Sequence, residues 1–219
     1  MDRVASVRCA TVPVKRAQLR LIGGRRLRSP QGQDTRPTTS RVREALMNML
    51  NAEIRGCRWL DLCSGSGVMG CEAIQRGASH VVAVEQDART AAVCRENLEL
   101  IASSEGCNAT VKVIRQDLLR WLQVNDQESE QPFSIVYLDP PYAAGLYTPA
   151  LENLKRSGLV TTEGLVICEY ASKQPPGVPA GWREVERRRY GSSSLLILSP
   201  REHCRGDTDS TPQQTGPEV

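Results

Sequence analysis

From Cys57 to Leu198 the chain repeats one pattern: a short apolar, largely β-branched run, a polar or glycine-bearing turn, then a stretch whose apolar positions recur every three or four residues. The runs read as buried strands and the stretches as amphipathic helices. Cys57-Arg-Trp-Leu-Asp-Leu62 is a strand entering Cys63-Ser64-Gly65-Ser66-Gly67, and Val68 to Arg76 is a helix stopped by Gly77. His80 to Val84 is a second strand with Glu85 at its end. A helix follows from Ala88 to about Ala102, then a strand over Val111 to Ile114 with Asp117 just beyond it. Asn125 to Pro132 is a polar loop ahead of the strand Phe133 to Leu138, which Asp139-Pro140-Pro141-Tyr142 closes. Next come a helix over Tyr147 to Arg156, a strand over Gly164 to Glu169, and a loop through Pro175, Pro176 and Pro179. Trp182 to Tyr190 and Ser194 to Leu198 then flank Gly191-Ser192 as a hairpin. Such alternation predicts an α/β fold around a parallel sheet.

Ahead of this region the pattern changes. Gln18-Leu-Arg-Leu-Ile22 alternates apolar with polar, meets Gly23-Gly24 and resumes as Arg25-Arg-Leu-Arg28, which predicts a basic β-hairpin turning on Gly-Gly. With Ser40 as N-cap, Arg41 to Leu50 is a helix that places Val42, Leu46, Met49 and Leu50 on one face. Arg36, Arg41 and Arg43 then gather at its start, where exposed N–H groups also favour anions. Length allows one α/β core with appendages: residues 1–18 read as a disordered basic extension, and the polar stretch 201–219 as a disordered tail.

Charge sharpens the division. Residues 1–60 carry thirteen Lys/Arg against four Asp/Glu, a balance of +9, so the remainder stands at −6 for the total of +3. A cationic arm on an acidic core suits a polyanion, because each neutralised phosphate adds affinity through counterion release. The eight cysteines include no Cys-x-x-Cys pair and there are two histidines, which argues against zinc, a disulfide framework and Ser-His or Cys-His hydrolysis. No apolar run approaches a membrane span, so a soluble, cytoplasmic protein is expected.

The candidate chemistry sits at the strand ends. Asp139 and the Pro140 carbonyl are both acceptors, suited to holding the hydrogens of an exocyclic amine while the Tyr142 ring stacks on the heterocycle that bears it. Gly65 to Gly70 formally fits G-x-G-x-x-G, which would place a dinucleotide here. Asp61, in the approach to the loop, is a poor neighbour for a pyrophosphate and a better one for a cationic ligand. Glu85 is placed to take ribose hydroxyls with either cofactor. In an open sheet whose order reverses beside its first strand, Asp61, Glu85, Asp117 and Asp139 would border a single crevice.

Over roughly Leu19 to Leu198 the chain resembles the class I S-adenosylmethionine-dependent methyltransferases, and more narrowly the RsmD-type 16S rRNA guanine-N2 methyltransferases. The residues that carry the resemblance are Ile22-Gly23-Gly24, Arg36-Pro37-Thr38-Thr39 with Arg41-Val42-Arg43-Glu44, Leu60-Asp61-Leu62 with Gly65-Ser66-Gly67, and Asp139-Pro140-Pro141. It implies a Rossmann-like fold with a mostly parallel seven-stranded sheet, helices on both faces, and a small N-terminal hairpin and helix. A basic RNA-binding part would cover residues 19–55 and the methyltransferase domain residues 56–200. The implied cofactor site is Asp61, Ser64, Gly65, Ser66 and Gly67 at the methionine end, Glu85 on the ribose, and Asp117 and Leu118 at the adenine. The implied catalytic set is Asp139, Pro140 and Tyr142. RNA would be held by Arg20, Arg25, Arg26, Arg28, Arg36, Arg41 and Arg43, and the partner would be 16S rRNA or the assembled small subunit. A metal-free monomer is expected. The sequence departs from the commoner family pattern at Tyr142 and Cys63, where phenylalanine is usual, and tyrosine at the first position also occurs in amino-methylating enzymes acting on adenine or glutamine; an adenine-N6 methyltransferase on DNA or RNA is the alternative, and a NAD-dependent oxidoreductase, resting on the formal G-x-G-x-x-G, a more distant one.

Overall fold

The computed structural model describes residues 18–30, 39–124 and 131–201. Arg36, the ends of the chain up to residue 17 and from residue 202, and most of the expected polar loop, residues 125–130, lie outside them.

Two helices, α1 (Ser40–Met49) and α2 (Asn51–Ile54), precede β1 (Arg58–Leu62), α3 (Val68–Gln75), β2 (His80–Glu85) and α4 (Ala88–Ala102). They are followed by β3 (Thr110–Arg115), α5 (Leu118–Val124), β4 (Phe133–Leu138), a 3-10 turn (Tyr142–Ala144), α6 (Tyr147–Ser157), β5 (Val160–Ala171), β6 (Trp182–Tyr190) and β7 (Ser193–Pro200). The strands form a seven-stranded sheet in the order β3-β2-β1-β4-β5-β7-β6. The pairings from β3 to β5 are parallel, and β7 is antiparallel to both of its neighbours. The expected mostly parallel sheet is present, with its order reversing at β1.

Strand alternation splits the core in two. Trp59, Val81, Ala83, Ile135, Tyr137, Ile167 and Ile197 pack on the face covered by α1, α3 and α4. Leu60, Leu62, Val82, Val84, Val136, Leu138 and Leu198 pack on the face covered by α5 and α6. Helices therefore lie on both faces, and the hydrophobic contribution comes from both layers.

The N-terminal arm differs from its expected form in three respects. Its hairpin is a single antiparallel bridge, Arg20 to Arg26, and the loop is Ile22-Gly23-Gly24 rather than Gly-Gly alone. The Gly24 N–H donates to Leu21 O at 2.8 Å and the Leu21 N–H to Arg25 O at 2.9 Å; Gly24, at φ +84, supplies the left-handed residue such a loop needs. The cap of α1 is Thr39, not Ser40, its hydroxyl accepting from the Val42 N–H. On this helix Met47 is fully buried in the core, and Met49, expected on the buried face, is half-buried. Elsewhere, β5 begins at Val160 rather than Gly164, and α5 is a further helix before β4.

Candidate active site

Parallel strands point their carboxyl ends to one edge of the sheet, and at the β1/β4 switch point the connections leave in opposite directions, opening a crevice. Asp61 lies in β1 opposite Tyr137 of β4, Glu85 ends β2, and Asp139 and Asp117 follow β4 and β3. All four acids act on the Cys63 thiol, which burial first and then Glu85, Asp139, Asp61 and Asp117 push up to about 12. The four strand-end acids therefore lie at one edge of the sheet, within electrostatic reach of Cys63. Cys63 itself stands at φ +60, the only non-glycine in the left-handed region among the described residues, where the chain leaves the strand to enter the glycine loop.

The acids are held unequally. Asp61 is 1% exposed and one of its oxygens accepts from the Gly70 N–H at 3.3 Å. Burial raises its carboxyl well above the usual range; the Gly70 N–H opposes this and Glu85 adds to it. Among the described residues no cationic side chain is paired with it. Glu85 spans the mouth of the loop: Oε2 accepts from the Gly65 N–H and Oε1 from the Asp87 N–H, both at 3.0 Å. Asp117 is exposed and accepts from the Arg120 N–H in the first turn of α5. Leu118 beside it is buried, and Asp139 and Tyr142 are half-buried at the end of β4.

The loop is shaped by close packing. Gly67, at φ +74, is the N-cap of α3; a Cβ there would lie 2.7 Å from Cys94 Sγ of α4. A Cβ at Gly70 would lie 2.9 Å from both Leu98 and Val81. These glycines thus let α3 approach α4 and the sheet. Ser64 is buried, with its hydroxyl 3.5 Å from Cys94 Sγ. Ser66 passes its carbonyl to the Asn97 side chain.

The arginines divide. Arg20, Arg25, Arg26, Arg28 and Arg41 are exposed. Arg25 reaches the Ser104 hydroxyl, Arg28 pairs with Glu96, and Arg20 donates to Gly24 O. Arg43 departs from the expected clamp at the start of α1: it is 4% exposed, 3.6 Å from the fully buried Glu72, and donates to Arg20 O at 2.7 Å. The helical turn that follows Thr39 carries Arg43 inward with Val42, where a buried carboxylate offsets its desolvation.

Three further polar residues lie near the site. Tyr147, at the start of α6, donates to Glu169 O at 2.6 Å, and burial first, then Asp139, raises its hydroxyl above the usual range. Glu169, 2% exposed in β5, receives the Tyr137 hydroxyl. Asn97 sits on the buried stripe of α4. Glu169 shares with Asp139 the one cue that could have found it, an acid ending an apolar strand.

A family model described as conserved hypothetical protein 95 matches residues 19–199. The chain is 32% identical over 198 residues to ribosomal RNA small subunit methyltransferase D of Escherichia coli strain K12, spanning 88% of this chain and 94% of that one. Against the Haemophilus influenzae protein of the same name it is 30% identical over 190 residues, spanning 84% and 95%. Among solved structures, yhhF of Escherichia coli superimposes with a TM-score of 0.72 at 29% identity, across 85% of this chain and 100% of that one. Fold, strand-end acids, glycine loop and these likenesses agree, and the chain belongs to this family, the RsmD-type S-adenosylmethionine-dependent methyltransferases.

Proposed function

We propose that the protein transfers the sulfonium methyl group of S-adenosylmethionine to the exocyclic N2 amine of a guanine in small-subunit ribosomal RNA. The observation that carries this reading is the convergence of four strand-end acids on one crevice with a buried, cation-free carboxylate, Asp61, at its floor. A pyrophosphate is repelled there. A ligand with an ammonium and a sulfonium is drawn in, and its charge relieves the cost that holds the Asp61 carboxyl up. The donor set therefore fits the methyl donor: Asp61, Ser64 and the Gly65–Gly67 loop at its methionine end, Glu85 at the ribose, Asp117 and Leu118 at the adenine. Glu85 still has acceptor capacity after its two backbone bonds, since a carboxylate offers about four lone-pair positions.

When bound, the cofactor supplies an electrophilic methyl on a good leaving group. Asp139 and the Pro140 carbonyl accept the two amine hydrogens of the target base, which draws the nitrogen lone pair out of ring conjugation and aims it. Tyr142 stacks on the base. The held amine would take the methyl as the sulfur leaves as a neutral thioether, and the surplus amine proton would pass to solvent. The base must be presented unstacked, at a cost of a few kcal/mol that falls when it already lies in a loop. The exposed arginines of the arm, residues 20, 25, 26, 28 and 41, hold RNA phosphates and add affinity without specifying the base. Arg36 belongs to the same proposed set by sequence. Residues 19–55 then form the RNA-binding part and residues 56–200 the methyltransferase domain.

The test is incubation with methyl-labelled S-adenosylmethionine and unmodified small ribosomal subunits, with naked rRNA and duplex DNA alongside, followed by digestion to nucleosides. Label in N2-methylguanosine is expected. Label in N6-methyladenine would move the target to adenine, and none in any arm would sink the reading.

A further inference from the structure

The basic arm and the cofactor loop share a single buried side chain. Asn97 of α4 is 1% exposed. Its Oδ1 accepts from the Arg28 N–H at 2.9 Å, while its Nδ2 donates to Arg28 O at 3.0 Å and to Ser66 O at 2.9 Å. The amide orientation is dictated by these partners, since the flipped form would set its oxygen against two carbonyls. One end of the group grips the arm's backbone as a neighbouring strand would, and the other fixes the middle residue of the Gly65–Gly67 loop. Cys94, one turn earlier on the same helix, backs Gly67. A second buried group tightens the link from the other side: Glu72 of α3, the helix the loop opens, accepts from the Ile22 N–H at 2.9 Å and pairs with Arg43 and Arg76.

An open cleft of about 530 Å³ is lined by Arg28, Ser29, Arg89 and Val93. Arg89, Val93 and Asn97 recur at helical spacing along α4, and Asn97 and Glu96 give the Arg28 segment its polar contacts with this helix, beside the apolar anchor of buried Leu27. If the arm lifts, the amide of Asn97 loses two of its three partners in a buried setting, and the Ser66 carbonyl loses its fixed donor. Arm-seated and loop-ordered are in this sense one state.

We propose that Asn97 is a positioning residue that couples the seating of the basic arm to the geometry of the cofactor loop, so that ribosomal RNA and the cofactor tighten each other's binding. This rests on the methyltransferase reading. Linkage makes the effect reciprocal: whatever factor RNA adds to cofactor affinity, the cofactor adds to RNA affinity.

The experiment measures binding of S-adenosylhomocysteine, which has no methyl to transfer, with and without unmodified small-subunit rRNA. In the wild-type protein RNA is expected to lower the Kd about five- to tenfold, at the lower end of typical coupling. In Asn97→Ala the factor falls below about twofold. Two changes at the arm side provide an independent arm should Asn97→Ala not fold. Arg28→Ala keeps the backbone donor to Asn97 and retains the factor even where RNA affinity drops. Arg28→Pro removes that donor and loses the factor. A wild-type factor of one, or a full factor in Asn97→Ala or Arg28→Pro, overturns the coupling alone when both ligands bind. A wild-type protein that binds neither ligand overturns the methyltransferase reading and the coupling with it.

Discussion

The two sides of the crevice are built on opposite principles. At the ends of β1 and β2 the carboxylates are met by backbone donors: Gly70 N–H on Asp61, Gly65 and Asp87 N–H on Glu85. At the end of β4 the chain runs Asp139-Pro140-Pro141, and proline brings no N–H. The first side is a pre-formed cradle whose acids are fixed before any ligand arrives. On the second, Pro140 offers a carbonyl without adding a backbone donor, which is what an incoming amine requires, while Pro141 O accepts from the Ala144 N–H at 2.9 Å. On the proposed assignment the contrast makes cofactor affinity and methyl transfer separable, because different strands would carry them.

The largest effect should come from the substrate side. Asp139→Ala is expected to lower kcat by about 10²–10³, the range for removing one preorganised transition-state contact, while the Kd for S-adenosylhomocysteine changes less than about threefold. Single-turnover rates beside equilibrium binding check this. Equal loss of binding would make Asp139 a cofactor residue and dissolve the contrast.

Asp61→Asn is the mirror experiment. Loss of a buried charge-assisted contact, roughly 1.5–3 kcal/mol, predicts cofactor binding weaker by about ten- to a hundredfold. Its pH dependence follows from the raised Asp61 carboxyl. A cationic ligand favours the ionised form, so affinity in the parent protein falls as pH drops through that raised value, earlier than an ordinary carboxylate would allow. The Asp61→Asn variant is flat over the same window. For the ligand-free fold the sign reverses: a folded pKa raised above the unfolded one means that this acid costs stability as pH rises, most fully above its folded pKa. Asp61→Asn should then raise the neutral-pH Tm, by about 2–4 °C per kcal/mol for a chain of this size. Calorimetry without ligand is the check.

These expectations depend on what was legible in the residues themselves. The helix Ala88–Ala102 and the strand Phe133–Leu138 have the bounds the pattern predicts, because Asp87 caps one and two prolines close the other. The four acids were legible for the same reason: each follows an apolar run, and parallel topology brings strand ends together. Thr39 and Ser40 are equally good caps locally, and the structure gives the role to Thr39, whose hydroxyl accepts from the Val42 N–H. Arg43, Glu72, Asn97 and Tyr147 depend on partners 22 to 69 positions away, beyond the reach of any local period. Gly164 looked like the start of a strand; in fact its lack of Cβ lets the chain fold close against Val160 and Thr161, where an added carbon would lie 2.7 and 2.9 Å away. β5 consequently extends through it.

The arm tests a third separation. Charge reversal at Arg25 and Arg26 together should weaken rRNA binding at low salt and make the log–log salt slope shallower by roughly two, since each lost phosphate contact removes about one unit. Cofactor affinity measured without RNA should not move, because both side chains are exposed on the arm. An unchanged salt slope would remove these arginines from the RNA interface.

The smallest expected effect sharpens the substrate side most. Tyr142 is half-buried in the 3-10 turn after the prolines, and its proposed work is stacking, for which the ring suffices. Tyr142→Phe should therefore keep kcat and KM within about twofold, whereas Tyr142→Ala loses a stacking platform worth roughly 1–3 kcal/mol per base and should raise KM about tenfold or more. A rival account has the Tyr142 hydroxyl orient the amine. That account predicts that Phe fails nearly as badly as Ala, and in kcat rather than KM. Steady-state rates of the two variants on unmodified small subunits decide between ring and hydroxyl, and with them whether the acceptors that aim the amine are Asp139 and Pro140 alone.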